Sequence, residues 1–184
     1  TLMITPIVWQ RTATPQKLHA LLEELHVSYP IHTNSNGGVH VTFVPADKPG
    51  VCEVRRTGMT ARVIYSTPAQ AARGVGALLA GQRSVTEQTA FTSLGIMLDC
   101  SRNAVITAAH MKVWLRRLAL LGYNTAMLYT EETYELPGEP YFGYQRGRYT
   151  ADEIRELDDR AARLGIELIP CIQTLGHLDK ILRY

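Results

Sequence analysis

The sequence predicts an α/β protein in which a small α+β domain, residues 1–88, precedes a run of parallel β/α units, residues 89–184. Three observations carry this. Short apolar runs at residues 94–98, 125–129 and 167–172 each end abruptly in polar, ionisable residues. Amphipathic helix patterns separate them, and each closes on a Leu-Gly step, with Gly122 and Gly165 lying 43 positions apart in equivalent places. The first half instead alternates strand patterns with two helix patterns and holds a hairpin signal.

Residues 3–9 read as a strand. Thr14-Pro15 opens a helix, Thr as the cap and Pro at its first position, and Leu18, Leu21, Leu22 and Leu25 form its apolar stripe. Tyr29-Pro30 ends it. The cluster Asn34-Ser35-Asn36-Gly37-Gly38 is a turn in which Gly37 and Gly38 supply positive φ. Residues 39–44 alternate as a strand with Val39, Val41 and Phe43 on one face. Residues 51–56 and 61–65 form a hairpin around Thr57-Gly58. Ser66-Thr67-Pro68 starts a helix that turns Ala71, Ala72, Val75, Leu78 and Leu79 inward and is capped by Gly81. The polar stretch 82–88 is the expected domain boundary.

In the second half, Thr107 caps a helix with Met111, Leu115, Leu118 and Leu121 inward, ending at Gly122. Thr150 with Glu153 makes a capping box for a helix with Ile154, Leu157, Ala161 and Leu164 inward, ending at Gly165. A third helix is expected to begin after His177. Residues 94–184 thus hold about three strands and two helices. A closed (β/α)8 barrel needs roughly 250 residues. The chain therefore reads as the front of a longer protein, or as one whose sheet is completed by another chain.

The net charge of +2, with basic residues scattered, argues against a nucleic-acid partner. No apolar run approaches a membrane span, and no basic-then-apolar leader opens the chain, so a cytoplasmic protein without a membrane partner is expected. The three cysteines, Cys52, Cys100 and Cys171, lack zinc spacing and read as small buried thiols. His19, His26, His32 and His40 are scattered, so neither a metal nor another cofactor is expected.

In parallel α/β sheets, chemistry collects at the carboxyl ends of the strands. That directs attention to Asp99, Arg102, Glu131, Glu132, Arg146 and His177. Asp99 either orients a substrate hydroxyl or ties down Arg102. Glu131 and Glu132, if on a strand, would face opposite ways. The long connection 130–150 gathers Tyr134, Tyr141, Phe142, Tyr144 and Tyr149 beside four glutamates, Arg146 and Arg148. Aromatic faces beside charged hydrogen-bonding groups suit a sugar; a lid held by its own packing is the other reading. No GxSxG, HExxH, phosphate loop or GxGxxG occurs.

Gly95-Ile96-Met97-Leu98-Asp99-Cys100-Ser101-Arg102 resembles the opening barrel strand of the family-20 glycoside hydrolases, the β-N-acetylhexosaminidases. Residues 123–132 resemble their second strand, and residues 167–177, ending in Gly176-His177, their third. The loop PYFGYQRGRY resembles a bacterial subgroup. The first domain, around Arg73-Gly74, resembles the family's small non-catalytic domain more loosely.

The resemblance implies an incomplete (β/α)8 TIM barrel with about three β/α units. It also implies retaining, substrate-assisted release of terminal β-linked N-acetylglucosamine or N-acetylgalactosamine. The family's catalytic Asp-Glu pair follows a fourth strand, beyond residue 184, so no catalytic residue proper is expected here and the chain alone would be inactive. His177 and Glu132 match supporting residues, Glu132 standing where the family usually has Asp. The family's sugar-gripping arginine falls near Leu94 or Gly95 and is absent, so Arg102 or Arg146 would substitute. Asp99, Arg102, Glu131, Arg146 and Tyr149 are the expected substrate contacts. The other class of function is a non-catalytic carbohydrate-binding or interaction module that completes its sheet by oligomerising. In either case an oligomer or the remainder of the barrel would cover the exposed sheet edges.

Overall fold

A computed structural model describes residues 5–102, 104–173 and 176–177. It is mixed α/β, with one six-stranded and one three-stranded sheet. In the first sheet, β1 (Ile7–Trp9) lies between β2 (Ile31–Thr33) and β3 (Val39–Pro45), parallel to both. β3 pairs in parallel with β5 (Thr60–Tyr65), and β4 (Val51–Thr57) joins β5 and β6 (Ser84–Gln88) antiparallel. Val39, Val41 and Phe43 are buried on one face, as the alternation requires.

Helices α1 (His19–His26) and α2 (Pro68–Leu79) cover that face. Leu18, Leu21, Leu22 and Leu25 are wholly buried. α2 is rich in Ala and Gly because it is packed on both sides. Gly74 faces Val63 of the sheet, and Gly76 faces the backbone of Leu120. Leu79 is only half buried.

Several expectations change. The first strand is shorter than residues 3–9, because Thr5 and Pro6 are irregular; Met3 and Ile4 lie outside the described residues. Pro15, not Thr14, caps a 3-10 turn over Gln16–Leu18, and no side chain caps it. In the turn, positive φ falls on Asn34 and Gly38 rather than on Gly37. Thr57 pairs with Thr60, so the hairpin turns at Gly58-Met59. The polar stretch expected as a boundary contains the edge strand β6, whose single buried side chain is Val85.

In the second sheet, β7 (Gly95–Asp99), β8 (Thr125–Tyr129) and β9 (Glu167–Cys171) run parallel in that order. Helix α3 (Ala108–Leu121) connects the first two, and α4 (Ala151–Arg163) the last two. Thr107 Oγ1 accepts from the His110 N–H, and Gly122 ends α3 in the left-handed conformation. The capping box at Thr150 and Glu153 is formed in full. Leu121, expected inward, is 61% exposed; Ala119 and Arg116 are buried instead. Ile154 is only partly buried, whereas Leu157, Ala161 and Leu164 are in the core.

α2 packs against α3, and α1 touches α4, so the helices lie between the two sheets. Leu98, Ala126 and Leu128 of the second sheet are buried. The alternate residues Met97, Met127 and Ile169 form one register row on its other face. Met97 there is 52% exposed. The third helix expected after His177 lies outside the described residues.

Candidate functional site at the strand ends

Register brings the site residues together. Asp99, Tyr129 and Cys171 are level across β7, β8 and β9, so the segments after them emerge at one edge. Asp99 is the hub of the first segment. One carboxylate oxygen accepts from Ser101 N–H at 2.9 Å and Ser101 Oγ at 2.7 Å; the other accepts from Arg102 Nη1 at 2.5 Å. Asp99 therefore ties down the turn. The Arg102 guanidinium carbon lies 5.6 Å from the centre of the Tyr129 ring.

The bonds from Ser101 and then Arg102 hold the Asp99 carboxyl down at about 2. A depressed folded-state value means stability that is present above the ordinary carboxylate range and is lost as pH falls through the folded value. We expect this contribution to fade between about pH 4 and about pH 2. Asp99→Asn should flatten that part of the acid-unfolding profile, measured as denaturant midpoints at the two ends of the window. An unchanged slope in the variant would contradict the assignment.

Glu131 and Glu132 do not continue β8, so strand alternation does not apply to them. They sit in a turn, and Glu131 has φ 48°. Its Oε1 accepts from the Tyr129 hydroxyl at 3.2 Å and lies 3.7 Å from His177 Nδ1. Burial and the Glu131 carboxylate push the Tyr129 phenol up, so it remains a donor. His177 also has positive φ, 63°. Backbone strain at two facing polar residues is a feature that concentrates at functional sites. Glu132 instead pairs with Arg146 Nη1 at 2.7 Å. Arg146 also donates from Nη2 to the Ser101 carbonyl, so it ties the loop after β8 to the turn after β7.

Asp99, Arg102, Glu131, Glu132, Arg146 and His177 thus share one end of the sheet. Tyr149 does not join them. It is buried, its hydroxyl donates to the Ile106 carbonyl, and Cys100 Sγ is 3.5 Å away. Its backbone N–H donates to the Thr133 carbonyl, which turns the ring inward. Tyr149, expected among the sugar contacts, is packed into the core away from the strand-end cluster. Cys52 and Cys100 are buried with thiols pushed up by burial, whereas Cys171 is only partly buried.

Sequence reasoning missed Ser101 and Tyr129. Tyr129 carried a signal, an aromatic as the last residue of a strand; Ser101 carried none.

No family model matches the sequence, and no curated protein matches it. Solved structures do. The exo-β-N-acetylglucosaminidase of Vibrio harveyi, a GH20 enzyme solved in complex with N-acetylglucosamine, superposes with a TM-score of 0.71 at 19% identity, over 94% of this chain and 33% of that one. The chitobiase of Flavobacterium johnsoniae gives 0.71 at 18% identity, over 99% and 33%. The β-N-acetylhexosaminidase of Bacteroides fragilis gives 0.70 at 17% identity, over 99% and 43%. The fold is that of part of a GH20 β-N-acetylhexosaminidase. This bears out, for the fold, the resemblance read from the strand sequences. The chain spans a third to somewhat over two fifths of the length of these GH20-type structures.

Proposed function

We propose that this chain is the amino-terminal part of a retaining, substrate-assisted β-N-acetylhexosaminidase that releases terminal β-linked N-acetylglucosamine or N-acetylgalactosamine. In this reading residues 1–88 are a non-catalytic domain, and β7, β8 and β9 are the first strands of a (β/α)8 barrel. The sugar's own acetamido oxygen attacks the anomeric carbon. An Asp orients that group, and the neighbouring Glu protonates the leaving oxygen and then activates water. That pair would lie on a fourth strand outside residues 1–184, so the chain alone is inactive. The remaining strands, or a second copy, cover the open edges of β7 and β9.

The observation that carries the reading is the His177–Glu131 approach at 3.7 Å across adjacent parallel strand ends. In this reading the His177 imidazole faces the Glu131 carboxylate at the end of the sheet where the acid/base would enter. Glu131 is better placed than Glu132 for this supporting role, because Arg146 occupies Glu132. Asp99, Arg102 and Arg146 supply charged hydrogen-bonding groups for sugar hydroxyls. Unpaired Cys52, Cys100 and Cys171 suit a reducing compartment, and the cytoplasm is proposed. The test is turnover of an aryl β-N-acetylglucosaminide by the protein encoded by the full reading frame.

A further inference from the structure

The hairpin of β4 and β5 gathers a cluster of charge that the strand-end residues do not use. Arg55 of β4 lies directly opposite Arg62 of β5. Arg56 is the next residue toward the turn, and its N–H donates to the carbonyl of Arg83, the residue before β6. Four arginines thus meet at one corner of the first sheet. Arg55, Arg62 and Arg83 are exposed and Arg56 is half-buried. Elsewhere Arg11, Arg73, Arg116 and Arg160 pair with glutamates. Among the described residues, none of the four at this corner forms an ion pair. Arg55 spends its donors on neutral acceptors. Nη1 donates to the Val54 and Val85 carbonyls and to Ser84 Oγ, and Nη2 to Thr86 Oγ1, each at 2.9 Å. These bonds fix the guanidinium without neutralising it. Like charges directly opposite across a strand pair are destabilising, so an anion at this corner would relieve a cost already present.

The turn beyond the arginines is apolar at its tip. Met59 is 51% exposed. The backbone that presents it is held. Gly58 has φ 58°, Thr60 Oγ1 donates to the Thr57 carbonyl at 3.0 Å, and Arg56 Nε donates to the Gly58 carbonyl at 3.1 Å. The Met59 carbonyl accepts from the His40 N–H at 2.8 Å. A Cβ on Gly58 would meet nothing within 4 Å, so the tip stands in open space. Strand alternation puts Arg55 and Arg62 on one face of the hairpin and Arg56 on the other, so cations flank the tip on both sides. Net charge and apolar runs, which argue against a membrane partner, do not register such a corner, because register and not sequence gathers the four arginines.

The combination selects the partner. An acidic polypeptide would answer the arginines and leave the methionine in water. An anionic lipid surface answers both, since guanidiniums match phosphate oxygens and an apolar side chain at the tip enters the interfacial layer. We propose that the corner formed by Arg55, Arg56, Arg62 and Arg83 around Met59 docks the protein reversibly on an anionic bilayer.

The test is cosedimentation of the 184-residue chain with vesicles of phosphatidylcholine and with vesicles of an equimolar phosphatidylcholine–phosphatidylglycerol mixture. The expected result is binding to the mixed vesicles alone, released by added salt. Arg62→Gln and Arg83→Gln should each weaken it about fivefold, and Met59→Ser about threefold to tenfold. Arg62→Lys should keep most of the affinity, because the charge remains. Arg62, Arg83 and Met59 are exposed, so the variants should fold, which unfolding midpoints check. No binding to the mixed vesicles, equal binding to both kinds, or binding unchanged in the Arg62→Gln/Arg83→Gln double variant would overturn the proposal. Retention on immobilised polyglutamate without vesicle binding would also overturn it and give the corner to an acidic polypeptide. No strand-end residue takes part, so this proposal and the hexosaminidase reading fail independently.

Discussion

Glu24→Ala is expected to lower the stability of the protein by about 3–5 kcal/mol, the cost of stranding a buried charge. Glu24 in α1 is 2% exposed. One of its oxygens accepts from Arg116 Nε at 2.9 Å and Nη2 at 2.8 Å, and the other from Arg160 Nη1 at 2.6 Å. Arg116 lies in α3 and Arg160 in α4, so a single carboxylate joins helices that serve different sheets. Arg116 is also bonded to Ser28 Oγ at 3.1 Å, and at 7% exposed it has little access to water. Removing Glu24 leaves that guanidinium buried without a counter-charge. Arg160 is 34% exposed and can turn to solvent, so Arg160→Ala should cost far less. Urea unfolding of the three proteins decides it. A loss below about 1 kcal/mol for Glu24→Ala would mean that Arg116 finds water and that the clamp is not buried in solution.

The second large effect is expected at Gly76. A Cβ there would sit 2.2 Å from the carbonyl oxygen of Leu120 and 3.1 Å from its Cβ. The obstruction is backbone in α3, which can only yield by moving the helix. Gly76→Ala should therefore destabilise by roughly 1–3 kcal/mol, although alanine is intrinsically the better helix former. Gly37 is the control, since a Cβ added there would meet nothing within 4 Å and its φ is not positive. Gly37→Ala should be close to neutral. Equal unfolding midpoints for the two variants would contradict the close approach of α2 and α3.

Much of the architecture is legible because local chemistry and tertiary packing agree. Thr107, Thr150 with Glu153, Gly122 and Gly165 mark helix ends by capping, a signal contained in a few adjacent residues. The alternation Val39, Val41, Phe43 and the stripe Leu18, Leu21, Leu22, Leu25 likewise state their own buried faces. What escapes depends on partners distant in the chain. β2 is Ile-His-Thr, too short for a period, and exists because β1 offers it an edge. β6 is polar and reads as a break, yet it is ordered by pairing with β4. Tyr149 resembles its aromatic neighbours in composition, but its backbone bond to Thr133 turns it inward. Arg116 and Glu24 are 92 residues apart, and nothing in either segment announces the other.

The strand-end residues follow from one rule, that parallel strands deliver chemistry at their carboxyl ends. The rule locates Asp99, Arg102, Glu131, Glu132, Arg146 and His177 without saying which of them touch. The division of labour between Glu131, facing His177, and Glu132, held by Arg146, needs the turn geometry and the positive φ at Glu131.

The most direct measurement of the central claim is release of the aryl group from an aryl β-N-acetylglucosaminide, by the 184-residue chain beside the protein encoded by its full reading frame. Turnover by the full-frame protein alone is the predicted result. Its loss in His177→Ala, with the fold intact, would tie the activity to the strand-end cluster. Turnover by neither protein would contradict the hexosaminidase reading. Turnover by the 184-residue chain would contradict the placement of the catalytic pair outside it.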